Sequence, residues 1–455
     1  MKRAFLFLVI FTLITTISLQ ISSAADGNVK VRHTIIAASG DTSPAGAAYL
    51  PSSFANVSLN ARHEVAFEAS VGNTTGIFVG DGKTTSVTTL AENGGFVNNP
   101  FITPNGDVIF DVNNSDIYKS NGKSIIPLVR AGDPAPGGGT LTPSGEPRAT
   151  TDNGTIAYSA FVTDSTATQG IFRSDGVQTT AIARDDINPP TGGNFLVMGN
   201  TALNDRGQVA FYSVMTGGSA EFGIFRGEGR ELTPVFVTNQ IAPGGTTIAD
   251  FGNPVINSHG LIATTVSLNN NTAGIFVGDG TDTVAIAVQG QPAPKGGNYN
   301  GQFLAPTRFN DQGEVAFDAR LSGGTSSSGI FRGDGKRTIP VALTGTNAPG
   351  TTGTFASFRD FQFLNDGRVA FMATLTPGVG GVNASNSTGI WVGSSDDDLQ
   401  LIVRTGDVID GKTLTRLLQL TPGNQLDMNQ NSVVWVGTFG VAKAVVLSRV
   451  IGNND

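Results

Sequence analysis

The sequence contains no cysteine. Disulfides, zinc–thiolate sites and cysteine nucleophiles are excluded with it. Histidine is nearly as scarce: His33, His63 and His259 are the whole supply, widely spaced along the chain. Tyr (5) and Trp (2) are few beside Phe (28), so the aromatic content is core filler more than polar-tipped contact surface. Charge is sparse as well. Only 14% of residues are charged, and 28 Lys and Arg against 36 Asp and Glu leave a net charge of -8. A surface poor in Lys and Arg argues against nucleic acid or an anionic membrane as partner. Beyond residue 25 no apolar run is long enough to span a bilayer.

What is present begins with a leader-like segment, residues 1–25. Lys2 and Arg3 form a basic start, residues 4–17 an apolar run, and Ser23-Ala24-Ala25 a small-residue cleavage site. An uncleaved membrane anchor is the alternative, but Thr12, Thr15, Thr16, Ser18 and Gln20 dilute the run. Cleavage would leave residues 26–455 as one domain. That product is expected to be soluble and either secreted or periplasmic, with no integral membrane segment. Without cysteine there is no lipoprotein acylation site, and 451–455 carries no sorting tail.

The rest of the chain is a repeat, and a repeat decides architecture before any local signal does. The phrase Asn204-Asp205-Arg206-Gly207-Gln208-Val209-Ala210-Phe211, followed by Gly223-Ile224-Phe225, returns at residues 310–317 and 329–331. The strand ending in Phe serves as a ruler. Its eight copies start at Val65, Val108, Ile156, Val209, Ile262, Val315, Val369 and Val433, spaced 43 to 64 residues apart. Each unit reads as four short strands: an alternating apolar one, Val-Ala-Phe, Gly-Ile-Phe, and a Val/Ile-rich one such as residues 284–288. Short strands punctuated by turn residues mean an all-β protein.

Between strands one and two, Asn204-Asp205-Arg206-Gly207 places Asn and Gly where a type I turn with a following left-handed residue prefers them. The glycine slot recurs except at His63 and Asn431, both types that tolerate positive φ. Between strands three and four, Asp81-Gly82, Asn121-Gly122, Asp175-Gly176, Asp279-Gly280 and Asp334-Gly335 predict type I′ hairpins. A four-stranded meander repeated about an axis is a propeller blade. The last unit lacks a fourth strand, and residues 34–37 form an unpartnered one. Together they complete a blade and remove the open edges. The expectation is an eight-bladed β-propeller of four-stranded blades, closed by the N-terminal strand. Seven blades plus one irregular unit is the alternative, because the first two spacings are short.

With residues 204–211 and 310–317 in view, the chain resembles the bacterial exported proteins that carry tandem NxxGxxAF repeats with varied surface anchors. The resemblance covers nearly all of residues 26–455. It implies a repeat fold and no established reaction, and the chain departs from anchored members in having no C-terminal anchor motif.

Comparing one slot across units tests for chemistry. The loop after strand four has an acidic slot that reads Asp41, Asp133, Ile187, Gln240, Gln291, Thr346 and Asp407. A repeated metal or substrate site would keep an oxygen ligand there, and Ile187 breaks the series. These loops are expected to be Pro/Gly-shaped turns. Their functional alternative is a channel mouth at which Arg130, Asp133, Arg184, Asp185, Arg404 and Asp407 bind a polar ligand. One Asp per turn is too few for an EF-hand-like calcium loop, and the run Asp396-Asp397-Asp398 reads as a solvated turn. No nucleophile elbow or phosphate loop is present. The third-strand residues Arg173, Arg226 and Arg332 read as blade-edge residues facing solvent. No metal and no cofactor is expected. The function expected is a non-catalytic exported binding or scaffolding module for a polysaccharide, an envelope component or a protein. The alternatives are a propeller hydrolase or lyase acting on carbohydrate, with the mouth residues as its apparatus, and a structural surface protein.

Overall fold

The Val-Ala-Phe strand is buried on both faces, which is why its copies read as nearly continuous apolar runs. Val65, Ala66 and Phe67 are all fully buried, as are Val209, Ala210 and Phe211. Phe67 pairs across the ladder with Phe78, Phe211 with Phe225, Phe317 with Phe331 and Phe371 with Trp391, each pair stacked. The Gly that opens each Gly-Ile-Phe strand makes room for that ring. A Cβ on Gly223 would lie 2.8 Å from the ring of Phe225 two residues on.

The computed structural model describes residues 20–23, 30–51, 53–92, 94–143, 149–229, 231–418 and 426–451. Blade 1 is Ala55–Leu59, Val65–Val71, Thr74–Gly80 and Thr85–Leu90, antiparallel in that order. Blades 2 to 7 repeat it over residues 97–129, 140–184, 194–237, 248–288, 298–343 and 355–404. Blade 8 takes Arg416–Leu417 and Leu426–Asn429 as a split first strand, then Ser432–Phe439 and Ala442–Ile451. Its fourth strand is the N-terminal Lys30–Ala38, with Thr34 opposite Leu447 and Ile35 opposite Val446. The protein is an eight-bladed β-propeller, and no unit is left over as irregular. One 3-10 turn, Val379–Gly381, is the single helical element among the described residues.

Eight hydrophobic clusters fill the described structure, each drawn mainly from two neighbouring blades. The one joining the chain's two ends packs Ile36, Val434, Val436 and Val445 against Val57, Phe67 and Phe78. Every fully buried Phe removes an apolar side chain from water, a gain of about 1.5–3 kcal/mol. Closure at this seam therefore rests on packing as well as on ladder hydrogen bonds.

First strands of adjacent blades lie against one another and form the inner wall. A meander then sorts its connections by face. First-to-second and third-to-fourth turns share one face. Second-to-third loops and the crossings to the next blade share the other.

Two expectations about turns are corrected here. The Asp-Gly loops are not two-residue type I′ turns. Gly80 pairs with Thr85 across a four-residue loop, and Gly82 alone has positive φ (83°) in it. Asp81 Oδ1 closes the loop by accepting the N–H groups of Lys83 and Thr84, each at 2.8 Å. These bonds hold the Asp81 carboxyl below the usual range against the opposing effect of burial. In the first-to-second turns His63 is left-handed (φ 63°) as expected, but in blade 8 Gln430 (φ 47°), not Asn431, takes that conformation.

The leader expectation for residues 1–25 falls outside the described residues apart from Gln20–Ser23, a strand paired with Lys30–Ala38. No helix among the described residues is long and apolar enough to cross a membrane.

Candidate functional site

The crossing loops place all six residues singled out from the sequence. In each of the seven loops a backbone turn forms first: Asp133 N donates to Arg130 O, Ile187 N to Arg184 O, and Asp407 N to Arg404 O. The acidic slot then reinforces it. Asp133 Oδ2 accepts Arg130 N at 2.8 Å and Asp407 Oδ2 accepts Arg404 N at 2.7 Å, while Gln240 does the same with Val237 N. Ile187 keeps the turn without the side-chain bond, so the slot serves loop closure. Arg184 is buried, and its guanidinium reaches Pro136 O, Gly138 O, Ser165 Oγ and the Asp186 carboxylate. It ties the blade 3–4 loop to the blade 2–3 loop. Asp185 accepts Thr168 N and the Thr168 hydroxyl. Arg404 ends the fourth strand of blade 7 and Asp407 lies in the loop to blade 8, and no hydrogen bond or ion pair among the described residues joins them to the other four.

The third-strand arginines do not face solvent as expected. Each is half-buried and crosses to the next blade. Arg173 donates to Gly207 O, Arg226 to Gly260 O, and Arg332 to Ser394 O at 2.7 Å and to Glu314 at 2.5 Å. Between blades the turn asparagines do likewise. Asn204 Nδ2 donates to Asn257 O at 2.9 Å, Asn257 to Asn310 O at 3.2 Å and Asn60 to Thr103 O at 3.1 Å. The recurring polar residues of the repeat are thus occupied in joining blades.

A different set gathers on the inner wall. First strands bulge near the loop face, and a left-handed residue sits at several of these bulges: Asn56 (φ 44°), Asn99 (φ 52°), Asn200 (φ 51°) and Asp360 (φ 41°). Asn is a type that accepts this conformation. On blades 1 and 2 the bulges form a chain: Asn56 Nδ2 to Glu68 Oε2 at 2.8 Å, Asn56 Nδ2 to Asn99 Oδ1 at 3.2 Å, and Asn99 Nδ2 to Asp111 Oδ2 at 3.0 Å.

About two residues further along each first strand, roughly 6–7 Å of rise, lies the position paired with the Ala of Val-Ala-Phe. Around the ring it holds Ser58, Phe101, Ala149, Ala202, Val255, Arg308, Gln362 and Asp427. Blades 2 to 5 supply apolar residues, and blades 6 to 8 and 1 supply polar ones. Ser58 Oγ accepts Ile102 N, Gln362 Nε2 donates to Leu426 O, and Asp427 accepts Leu59 N and Met428 N, each at 2.8 Å.

Arg308 breaks this pattern. Asp427 and Asp360 favour its charge against the cost of burial, yet no hydrogen bond or ion pair joins its guanidinium to the described residues. Asp360 Oδ2 is buried and bonded to nothing described, and burial raises its carboxyl despite Arg308. Burial lifts Asp427 to about 6, opposed by its two backbone bonds and by Arg308. On the second strand of blade 6, Asp318 is lifted to about 6 by burial, and its buried Oδ1 also has no described partner. Partly buried side chains are so affected because a channel wall touches solvent while protein surrounds it on most sides. Among the described residues no group of three or more His, Cys, Asp or Glu could hold a metal ion.

The profile of a family of unknown function, DUF7453, matches residues 101–436. The chain belongs to that family. No curated protein matches this DUF7453 member. Solved structures similar to it include an oligogalacturonate lyase in complex with manganese, at 9% identity and TM-score 0.45, covering 96% of each chain. A puromycin hydrolase matches at 11% identity and TM-score 0.43, over 89% of this chain and 61% of its own. YCF48 bound to D1 peptide matches at 10% identity and TM-score 0.31, over 94% and 99%. Likeness this distant carries nothing about chemistry.

The inner-wall residues were not found from the sequence. A signal existed: Glu68, Asp111 and Asp318 each follow the aromatic of the Val-Ala-Phe strand at the same offset.

Proposed function

We propose that this DUF7453 protein is a non-catalytic exported binding module, with the loop face that carries Arg130, Asp133, Arg184, Asp185, Arg404 and Asp407 as the entrance to its channel. The leader-like residues 1–25 and the NxxGxxAF resemblance support export. One observation supports binding: the polar groups that recur from blade to blade are used up in loops and blade seams, whereas Arg308 and Asp360 Oδ2, which make no hydrogen bond to a described residue, lie near each other on the inner wall. The ligand class is a polysaccharide, ahead of an envelope component or a protein. A screen of immobilised glycans with the purified chain tests this. Saturable binding to at least one glycan is expected, with no loss of that glycan on prolonged incubation.

A carbohydrate hydrolase or lyase is the second reading. It is favoured by the poorly solvated carboxylates Asp318 and Asp427, both lifted to about 6, since groups tuned in this way serve as general acids or bases. Appearance of new reducing ends or unsaturated products from a bound glycan, abolished in Asp427→Asn, would establish it and end the binding-only reading.

A further inference from the structure

The polar arc on the inner wall of blades 6 to 8 has more hydrogen-bonding capacity than the described residues use. Arg308 presents five N–H groups, and none is donated to a described residue. Asp360 presents a buried oxygen that accepts nothing described. Asp427, its carboxylate engaged by Leu59 N and Met428 N, fixes a second negative charge near Arg308. A buried polar group without a partner costs free energy, so such groups persist where a ligand or water completes them.

We propose that Arg308 and Asp360, with Gln362 at the register position of Arg308 on the neighbouring blade, form a binding site for the hydroxyl groups of a neutral saccharide. This assignment rests on the binding-module reading and gives it a place and a chemistry. Charge selects the ligand class. A cationic ligand would meet Arg308, and an anionic ligand would meet Asp360 and Asp427. A neutral polyol meets neither obstacle, because each hydroxyl both donates and accepts. Adjacent hydroxyls also suit a guanidinium fork and a carboxylate, which engage pairs of atoms. A peptide is the other neutral ligand with both donors and acceptors, and it binds such folds by adding a strand to an open edge. The inner edges here are interrupted by bulges at Asn56, Asn99, Asn200 and Asp360, which break the ladder an added strand would need. Opposite this arc the same register position is apolar at Phe101, Ala202 and Val255. The ring is therefore sided, and the site occupies one side of it.

The test is calorimetric titration of the full chain with neutral oligosaccharides: gluco-, xylo-, manno- and N-acetylglucosamine hexamers. At least one is expected to bind. Asp360→Asn and Arg308→Gln are each expected to weaken it tenfold or more, and Arg308→Lys to restore part of the loss. Asp360→Asn puts at this bulge the residue that blades 1, 2 and 4 carry there, so its fold is expected to survive. Thermal melting checks that. Binding unchanged in both variants would overturn this site while leaving the binding module standing. No binding to any neutral hexamer would overturn the assignment. A charged oligosaccharide that binds and loses affinity on Arg308→Gln would keep the module and remove the neutral-sugar chemistry. A displayed peptide library whose enriched members lose binding on Arg308→Gln would replace saccharide with peptide.

Discussion

The bulges of blades 2 and 7 occupy the same place in the repeat and are finished differently. At blade 2 Asn99 accepts from Asn56 and donates to Asp111. At blade 7 Asp360 has the same left-handed backbone, but its buried Oδ2 meets no described partner. An amide can stand in the middle of a hydrogen-bond chain because it gives and takes. A carboxylate only takes. The fold thus has a neutral way of completing an inner strand and departs from it on one arc. A departure that costs stability where a better residue is within reach points to use of that residue for something other than folding.

The sharpest way to break the comparison is to remove the side chain from each bulge. Asn99→Ala takes away one donor and one acceptor and leaves a non-glycine residue at φ 52°. Two lost bonds with partners left in place should cost roughly 2–4 kcal/mol. The melting temperature is expected to fall by several degrees. Asp360→Ala removes no hydrogen bond to a described residue, and relief of its buried carboxyl offsets the attraction to Arg308 that is lost, so it should change stability by less than about 1 kcal/mol. Calorimetric melts of the two variants side by side decide it. Equal losses would mean that the arcs do the same job.

That contrast lay beyond the sequence for a physical reason. Strand content, eight units and closure through residues 34–37 were legible because burial on both faces writes itself as Val-Ala-Phe and Gly-Ile-Phe or close variants of them, such as Val433-Val434-Trp435, along the chain. A bulge is written only as an Asn or Asp inside a strand of changing length, and the first strands are the least regular of the four. Arg173 and Arg226 misled because a lone Arg after two buried residues reads as an outward position. Its partner, the carbonyl of a turn glycine, belongs to a neighbouring blade 34 residues further along. The six loop residues had the right chemistry for a mouth, and their proximity to their own backbone could not be read from spacing.

A smaller effect with a clear sign sharpens the comparison within the polar arc. Burial raises Asp318 to about 6, above its unfolded value near 3.9. The folded state then binds more protons than the unfolded state between these values, so stability falls as pH rises through the window. Below about pH 4 the wild-type side chain is neutral in both states and Asp318→Asn should change little. Above pH 6 the variant avoids a desolvated charge and should gain up to about 2–3 kcal/mol, less whatever solvent and Arg320 already offset. Melting temperatures of both proteins from pH 4 to pH 8 should diverge as pH rises. Parallel curves would show that Asp318 is adequately partnered, and the arc would lose one of its unsatisfied members.

The smallest effect belongs to the loop face. Asp133 caps Arg130 N in a loop whose backbone turn forms regardless, and the ion pair to Arg130 at 3.5 Å has both side chains substantially exposed. Exposed pairs contribute about 0–1 kcal/mol, screened further by salt. Ile187 already shows the turn without a side-chain cap. Asp133→Ala should therefore lower stability by about 1 kcal/mol or less, near the bottom of the range for losing one side-chain cap. Urea melts at low and high salt separate the two contributions: the cap persists in salt and the ion pair does not. A loss several times larger would mean that the crossing loops depend on their acidic slot after all, and that turn geometry alone does not hold the blades in register.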